Sequence, residues 1–153
     1  MLTVLGVNCV ALHAAKKQAH RLASLSRFKS GEVQTMVATD IASRGLDIPT
    51  VDMVINYDVP LIPRDYVHRI GRTARAGRAG RAITLVTQHD VSLVHQIERI
   101  TCRKLVQLSE LSEEATLKDM ARVFAARRAA NLNNGGACGF DDILRQRRAR
   151  YNK

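Results

Sequence analysis

The chain has no tryptophan, and only three prolines, three tyrosines and three phenylalanines among 153 residues. So few rings leave little material for a platform on which nucleic-acid bases would stack. The three cysteines, Cys9, Cys102 and Cys138, stand far apart with no CxxC pair. That excludes a disulfide framework and a thiolate zinc site, and it predicts reduced thiols in an intracellular protein. His20, His89 and His95 show no metal-binding spacing, so no metal site is expected. No apolar run reaches the roughly 18 residues of a membrane span. Residues 1–12 lack the basic start and cleavage site of a secretory signal, so no membrane partner is expected. There is no internal repeat, which excludes a solenoid. Acidic side chains are scarce: 14 Asp and Glu stand against 24 Lys and Arg, for a net charge of +10. That balance favours a polyanionic partner, RNA or DNA first, although a generally cationic surface fits the same number. The apolar fraction of 46% argues against wholesale disorder, and the length suffices for one domain with a core.

The hydrophobic pattern predicts strands over residues 7–12, 33–38, 53–57 and 82–86, with an edge strand over 104–108. Between them it predicts a helix over 14–28 that stops at Ser30-Gly31, and a short helix from Pro63. A further helix is predicted behind Asp90 as its cap, with Val91, Val94, Ile97 and Ile100 three apart. Strands alternating with helices imply an α/β domain with a mostly parallel sheet, in which ligands bind beyond the carboxyl ends of the strands. From about Thr116 the character changes. A helix is predicted over 116–130, a linker over 131–139 and a basic helical tail over 140–153.

Two stretches carry the chemistry. Residues 37–49 read VATDIASRGLDIP, a strand that opens into a polar loop containing glycine. Thr39 offers a hydroxyl to a phosphate, Gly45 permits close backbone approach, and Asp47 is an acceptor suited to a ribose hydroxyl. Taken singly, the same residues fit an ordinary strand-to-helix turn with Asp40 as a cap. Residues 68–78 read HRIGRTARAGR. Their guanidinium groups supply permanent charge and planar forks of donors, the chemistry that stabilises a transferring γ-phosphate. An arginine-rich solvated loop that merely binds polyanions is the simpler alternative.

In this order and about twenty residues apart, the two stretches resemble the C-terminal motor half of the DEAD-box RNA helicases. That family couples ATP hydrolysis to the remodelling of RNA. The resemblance implies a RecA-like α/β fold: a mostly parallel sheet flanked by helices, lacking its first strand, with a basic helical C-terminal tail. It implies that Arg72 and Arg75 are the arginine fingers and bind ATP together with Asp47. Gln18, Arg21, Thr39 and Gly45 fall on RNA-contacting positions. Arg44, His68 and Arg69 fall on residues that couple the motifs to neighbouring loops and to the opposite motor domain. A weaker third match, residues 11–21, has Ala14 where the family usually has glycine. Asn56 to Pro60 match a segment of mainly structural role, with Asp58 facing the interdomain cleft.

The chain contains no GxxxxGK[ST] loop and no Asp-Glu-Ala-Asp string. In the family those elements belong to the N-terminal RecA-like domain, which holds most of the contacts to ATP and Mg2+. The resemblance therefore implies residues 1–110 as a helicase C-terminal domain, with Met1 to Gly6 the remnant of an earlier helix, and 111–153 as an extension. Expected partners are RNA, mainly through its sugar-phosphate backbone, and an N-terminal helicase domain. Local wording such as PRDYVH is similar to ribosome-biogenesis members, which implies the nucleus and nucleolus, with the cytoplasm as alternative. Two other readings stand beside this one: a short non-catalytic protein that binds RNA or a helicase partner, and half of a DNA-directed helicase.

Overall fold

The computed structural model describes residues 1–40, 47–74, 77, 79–110 and 112–133. They fall into two compact units. One is Val10–Leu108, and the other joins Met1–Cys9 to the chain from Ser109 onward.

The larger unit alternates strand and helix, the α/β order the pattern implies. Strand β1 (Cys9–Leu12) leads into helix α1 (Gln18–Lys29), strand β2 (Thr35–Ala38), strand β3 (Met53–Asn56), helix α2 (Pro63–Ile70), strand β4 (Arg81–Thr84) and helix α3 (Val91–Thr101). Among the described residues β1 pairs with β2, and β3 pairs with β4. The second pair is parallel, with Met53 opposite Arg81 and Asn56 opposite Thr84. Helix α2 carries Pro63 in its first turn, where a missing N–H costs nothing, and Asp65 in the first turn and Arg69 in the last are favourable to the backbone dipole. It packs on α3 through a core of Val59, Tyr66 and Ile97, to which Ile70, Leu93 and Val94 add. Ile97, on the three-residue repeat seen in the sequence, is fully buried.

In the smaller unit, residues 1–6 form hydrogen-bonded turns. They end at Gly6 (φ 85°), where the Val7 N–H reaches the Leu2 carbonyl, the pattern with which helices close. Helix α4 (Glu113–Asn133) follows Ser112, whose Oγ accepts from the Ala115 N–H at 3.1 Å. Arg122 of α4 donates to the Leu5 carbonyl at 3.3 Å.

Element ends depart from expectation in many places: β1 and β2 start two residues late, at Cys9 and Thr35, β3 stops at Asn56 rather than 57, and β4 runs Arg81–Thr84 rather than 82–86. Helix α1 begins at Gln18 rather than residue 14, because Lys17 is extended (φ −60°, ψ 150°) and Lys16 Nζ turns back to the Ala11 carbonyl at 2.7 Å. Its end matches: Ser30 caps it and Gly31 takes φ 76°. Asp90 precedes α3 but does not cap it with its side chain. Its carboxylate accepts instead from the Thr87 N–H (2.9 Å) and hydroxyl (2.6 Å). Residues 104–108 are not a strand: Val106 is 90% exposed, and the Leu105 N–H donates to the Glu98 carboxylate rather than to a neighbouring strand. Helix α4 starts three residues early, on the Ser112 cap, and runs through Asn131 to Asn133, where a linker was expected. Extending an existing helix costs far less than starting one. The remainder of that linker and the basic tail lie outside the described residues.

Candidate functional site

The two motif stretches meet at one guanidinium. Asp40 lies two residues beyond β2, and Thr39 between them continues the strand pairing through its N–H to the Leu12 carbonyl. Arg69 sits one residue from the end of α2. Its Nε donates to Asp40 Oδ1 at 2.7 Å and its Nη2 to Oδ2 at 2.6 Å, a two-pronged pair. Its Nη1 donates to the Asp58 carbonyl at 2.8 Å and to Asn56 Oδ1 at 3.3 Å. Asn56, the last residue of β3, is only 1% exposed and donates in turn to the Thr84 hydroxyl on β4. One arginine thus fixes the ends of β2 and β3 relative to α2. The pairing with Asp40 outweighs the opposing effect of burial and raises the Arg69 pKa above its ordinary value.

Beyond α2 the chain folds back toward the start of β3. The Val51 N–H donates to the Arg72 carbonyl at 2.9 Å, and the buried Thr73 hydroxyl donates to the Asp52 carbonyl at 3.1 Å. Ala74 then takes φ 54°, unusual for a residue with a side chain. Gly80 lies against this bend. A Cβ there would overlap the Thr73 hydroxyl and the Ala74 backbone, so the position needs glycine for space. Arg72 is half-buried, and its guanidinium has no hydrogen-bond or ion-pair partner among the described residues. Its backbone is held at both ends while its charged head is available to an anion.

The other expected residues form smaller groups. Gln18 opens α1, and Arg21 Nη1 donates to its Oε1 at 2.9 Å. Asp47 is exposed and accepts from Lys29 Nζ at 2.7 Å. His68 lies on α2 with its ring 3.9 Å from Asp65 and mostly exposed. Arg44, Gly45 and Arg75 lie outside the described residues. No group of three His, Cys, Asp or Glu among the described residues could hold a metal ion.

Sequence reasoning missed the structural weight of Asp40, Asn56 and Gly80. Asp40 was read only as a cap, and Asn56 only as part of a matching segment. The one partial signal was electrostatic: an Asp at a strand end and an Arg near a helix end, each inside a motif stretch, in a chain with few acids, which suggests a pair without fixing the partner.

Comparison with known proteins identifies the domain. Residues 1–77 match the helicase conserved C-terminal domain. The chain is 48% identical over 151 residues to DEAD-box ATP-dependent RNA helicase 36 of Arabidopsis thaliana, covering 97% of this chain and 30% of that protein. It is 49% identical over 131 residues to the ATP-dependent rRNA helicase RRP3 of Mycosarcoma maydis, covering 85% of this chain and 23% of that protein. The chain belongs to the DEAD-box RNA helicase family. It spans less than a third of the length of these relatives. Among solved structures it resembles the E. coli DEAD-box protein SrmB, crystallised with the regulator of ribonuclease activity A. The TM-score is 0.65 at 41% identity, over 71% of this chain and 65% of that one. The α/β unit is thus the RecA-like C-terminal domain of a DEAD-box helicase, and the Asp40–Arg69 pair ties together its two motif stretches.

Proposed function

We propose that this chain is the C-terminal motor half of an ATP-dependent RNA helicase that remodels RNA during ribosomal RNA processing. The observation that carries the reading is the arrangement around Arg69 and Arg72. One guanidinium locks the RNA-side stretch to the arginine-side stretch, and three residues on, a second is held by its backbone with its head unpaired. On this reading Arg72 and Arg75 stabilise charge on the γ-phosphate of ATP, and Asp47 holds the ribose once it exchanges its Lys29 contact for the nucleotide. Thr39, Gly45, Gln18 and Arg21 contact the RNA sugar-phosphate track. Arg44 and His68 face the opposite motor domain, while Arg69 acts on the neighbouring loops. Mg2+ belongs with the acidic and phosphate-binding elements of the N-terminal motor domain. Residues 1–110 form the helicase domain and 111–153 an extension to it. The identity to an rRNA helicase supports a nucleolar location, which a fluorescent fusion would test against the cytoplasm.

Two measurements test the proposal. In the complete enzyme, Arg72→Ala or Arg75→Ala should lower RNA-stimulated ATP turnover by about 10² or more, since removing one preorganised charge from the transition state has effects of that order. Wild-type turnover in both variants would remove the finger assignment. The 153-residue chain alone should bind single-stranded RNAs of equal length with little sequence preference and a steep salt dependence. A strong preference between unrelated sequences would contradict binding through the backbone.

A further inference from the structure

The C-terminal end of α3 takes no part in the site described above, yet it gathers charge. His95, Glu98, Arg99, Cys102, Arg103 and Lys104 line a surface concavity of about 490 Å³. The chain turns back at Cys102, which adopts the left-handed conformation (φ 52°, ψ 29°), and so brings Arg103 and Lys104 alongside Arg99. This turn is firmly held. Glu98 accepts the Leu105 N–H at 2.9 Å through one oxygen and lies 3.3 Å from the His95 ring through the other. The Thr101 hydroxyl donates to the Ile97 carbonyl at 2.9 Å, and Ile97 itself is fully buried in the core. The one acid in the concavity is therefore engaged in fixing the turn. Arg99 and Arg103 have no ion-pair partner among the described residues, and Lys104 makes no salt bridge there although its charge acts on the Glu98 carboxylate. The helix C-terminus carries only about half a negative charge, so it offsets a small part of the three positive charges gathered here.

We propose that this concavity is a second RNA-phosphate site, separate from the Thr39 and Arg21 track. Two arginine forks and a lysine, carried on a firmly held turn around an open concavity, suit successive phosphates of a single strand. Such a site holds a flanking stretch of RNA near the motor without reading its sequence. The choice of RNA as ligand rests on the function proposed above; the site itself rests on the geometry of α3.

Cys102 provides a built-in probe, because its exposed thiol lies in the lining. The intact chain is alkylated with iodoacetamide with and without a single-stranded RNA, and Cys102 and Cys9 are followed separately by peptide mass spectrometry. RNA is expected to slow alkylation of Cys102 several-fold and to leave Cys9 unchanged. In parallel, R99Q/R103Q/K104Q is expected to reduce the slope of log affinity against log salt by about 2, from three lost contacts at about 0.7 each for single strands. R99K/R103K, which keeps the charge, should retain that slope. Circular dichroism confirms that both variants are folded. RNA binding with unchanged Cys102 alkylation, or an unchanged slope in the folded neutral variant, overturns the site while sparing the main track. Protection of Cys102 by an acidic peptide but not by RNA overturns it in favour of a protein partner. Absence of any RNA binding by the intact chain at low salt defeats this proposal and the function proposed above together.

Discussion

If Arg69 is the residue that joins the two motif stretches, its pairing with Asp40 should be measurable as a coupling energy. The two side chains are 25% and 33% exposed, so they lie between a surface pair and a buried one. An exposed pair contributes at most about 1 kcal/mol, whereas breaking a buried pair costs roughly 3–5 kcal/mol. Arg69→Ala removes both hydrogen bonds to Asp40, together with those to the Asp58 carbonyl and the buried Asn56 side chain. A loss of about 3 kcal/mol is expected. Asp40→Asn keeps an acceptor but removes the charge, and should cost about 1.5 kcal/mol.

The decisive quantity is the double-mutant cycle, measured by urea unfolding of the full chain followed by far-UV circular dichroism. If the fork is the main interaction shared by the two side chains, the double variant should be more stable than the sum of the single losses by about 1.5 kcal/mol. Partial burial also limits screening, so the coupling should persist between 0.1 M and 0.5 M salt. A coupling below about 0.5 kcal/mol, the range of independent sites, would refute the reasoning. Arg69 would then be one polar contact among many.

Three further outcomes follow from the same structure. Gly80→Ala should lower stability by about 1–3 kcal/mol and, in the complete enzyme, reduce turnover, because the new methyl displaces the Thr73–Ala74 bend that carries Arg72; unchanged melting and turnover would show that the bend yields freely. Glu98 is held below the ordinary carboxylate range, first by the Leu105 N–H and then by His95, so its contribution is present above that range and lost as pH falls through its depressed value. An acid titration of stability should therefore be shallower in Glu98→Gln than in the parent chain, and identical acid limbs would contradict the hydrogen bond. Lys29→Ala should change stability by less than about 0.5 kcal/mol, since its pair with Asp47 is 40% and 89% exposed, and a larger loss measured by urea unfolding would mean that Lys29 makes a contact of another kind.

How much of this was legible follows from where each signal resides. The periodic elements were readable because burial is written locally. In α3 the inner members of the three-residue repeat, Val94 and Ile97, face the core while Val91 and Ile100 at its ends are exposed, and the β-branched run ending at Asn56 marks the position of β3 although Ile55 is exposed. Element ends were less readable because they depend on polar side chains with several possible partners. Asp90 had the residue type and position of a cap, but the Thr87 hydroxyl was nearer. Residues 104–108 had strand composition, but Glu98 took the Leu105 N–H. Within the candidate site the motif residues could be located, but their interactions could not. Asp40 and Arg69 are 29 positions apart, and nothing in either stretch fixes which acid an arginine will meet. Gly80 is harder still, since its requirement is the space left by Thr73 and Ala74, which exists only once the chain has turned. The motif named the residues proposed to meet ligands; the contacts that hold them had to be read from the fold. For that reason the Asp40–Arg69 cycle is a stronger test of the site than any single substitution of an arginine. It tests a pairing that local periodicity could not supply.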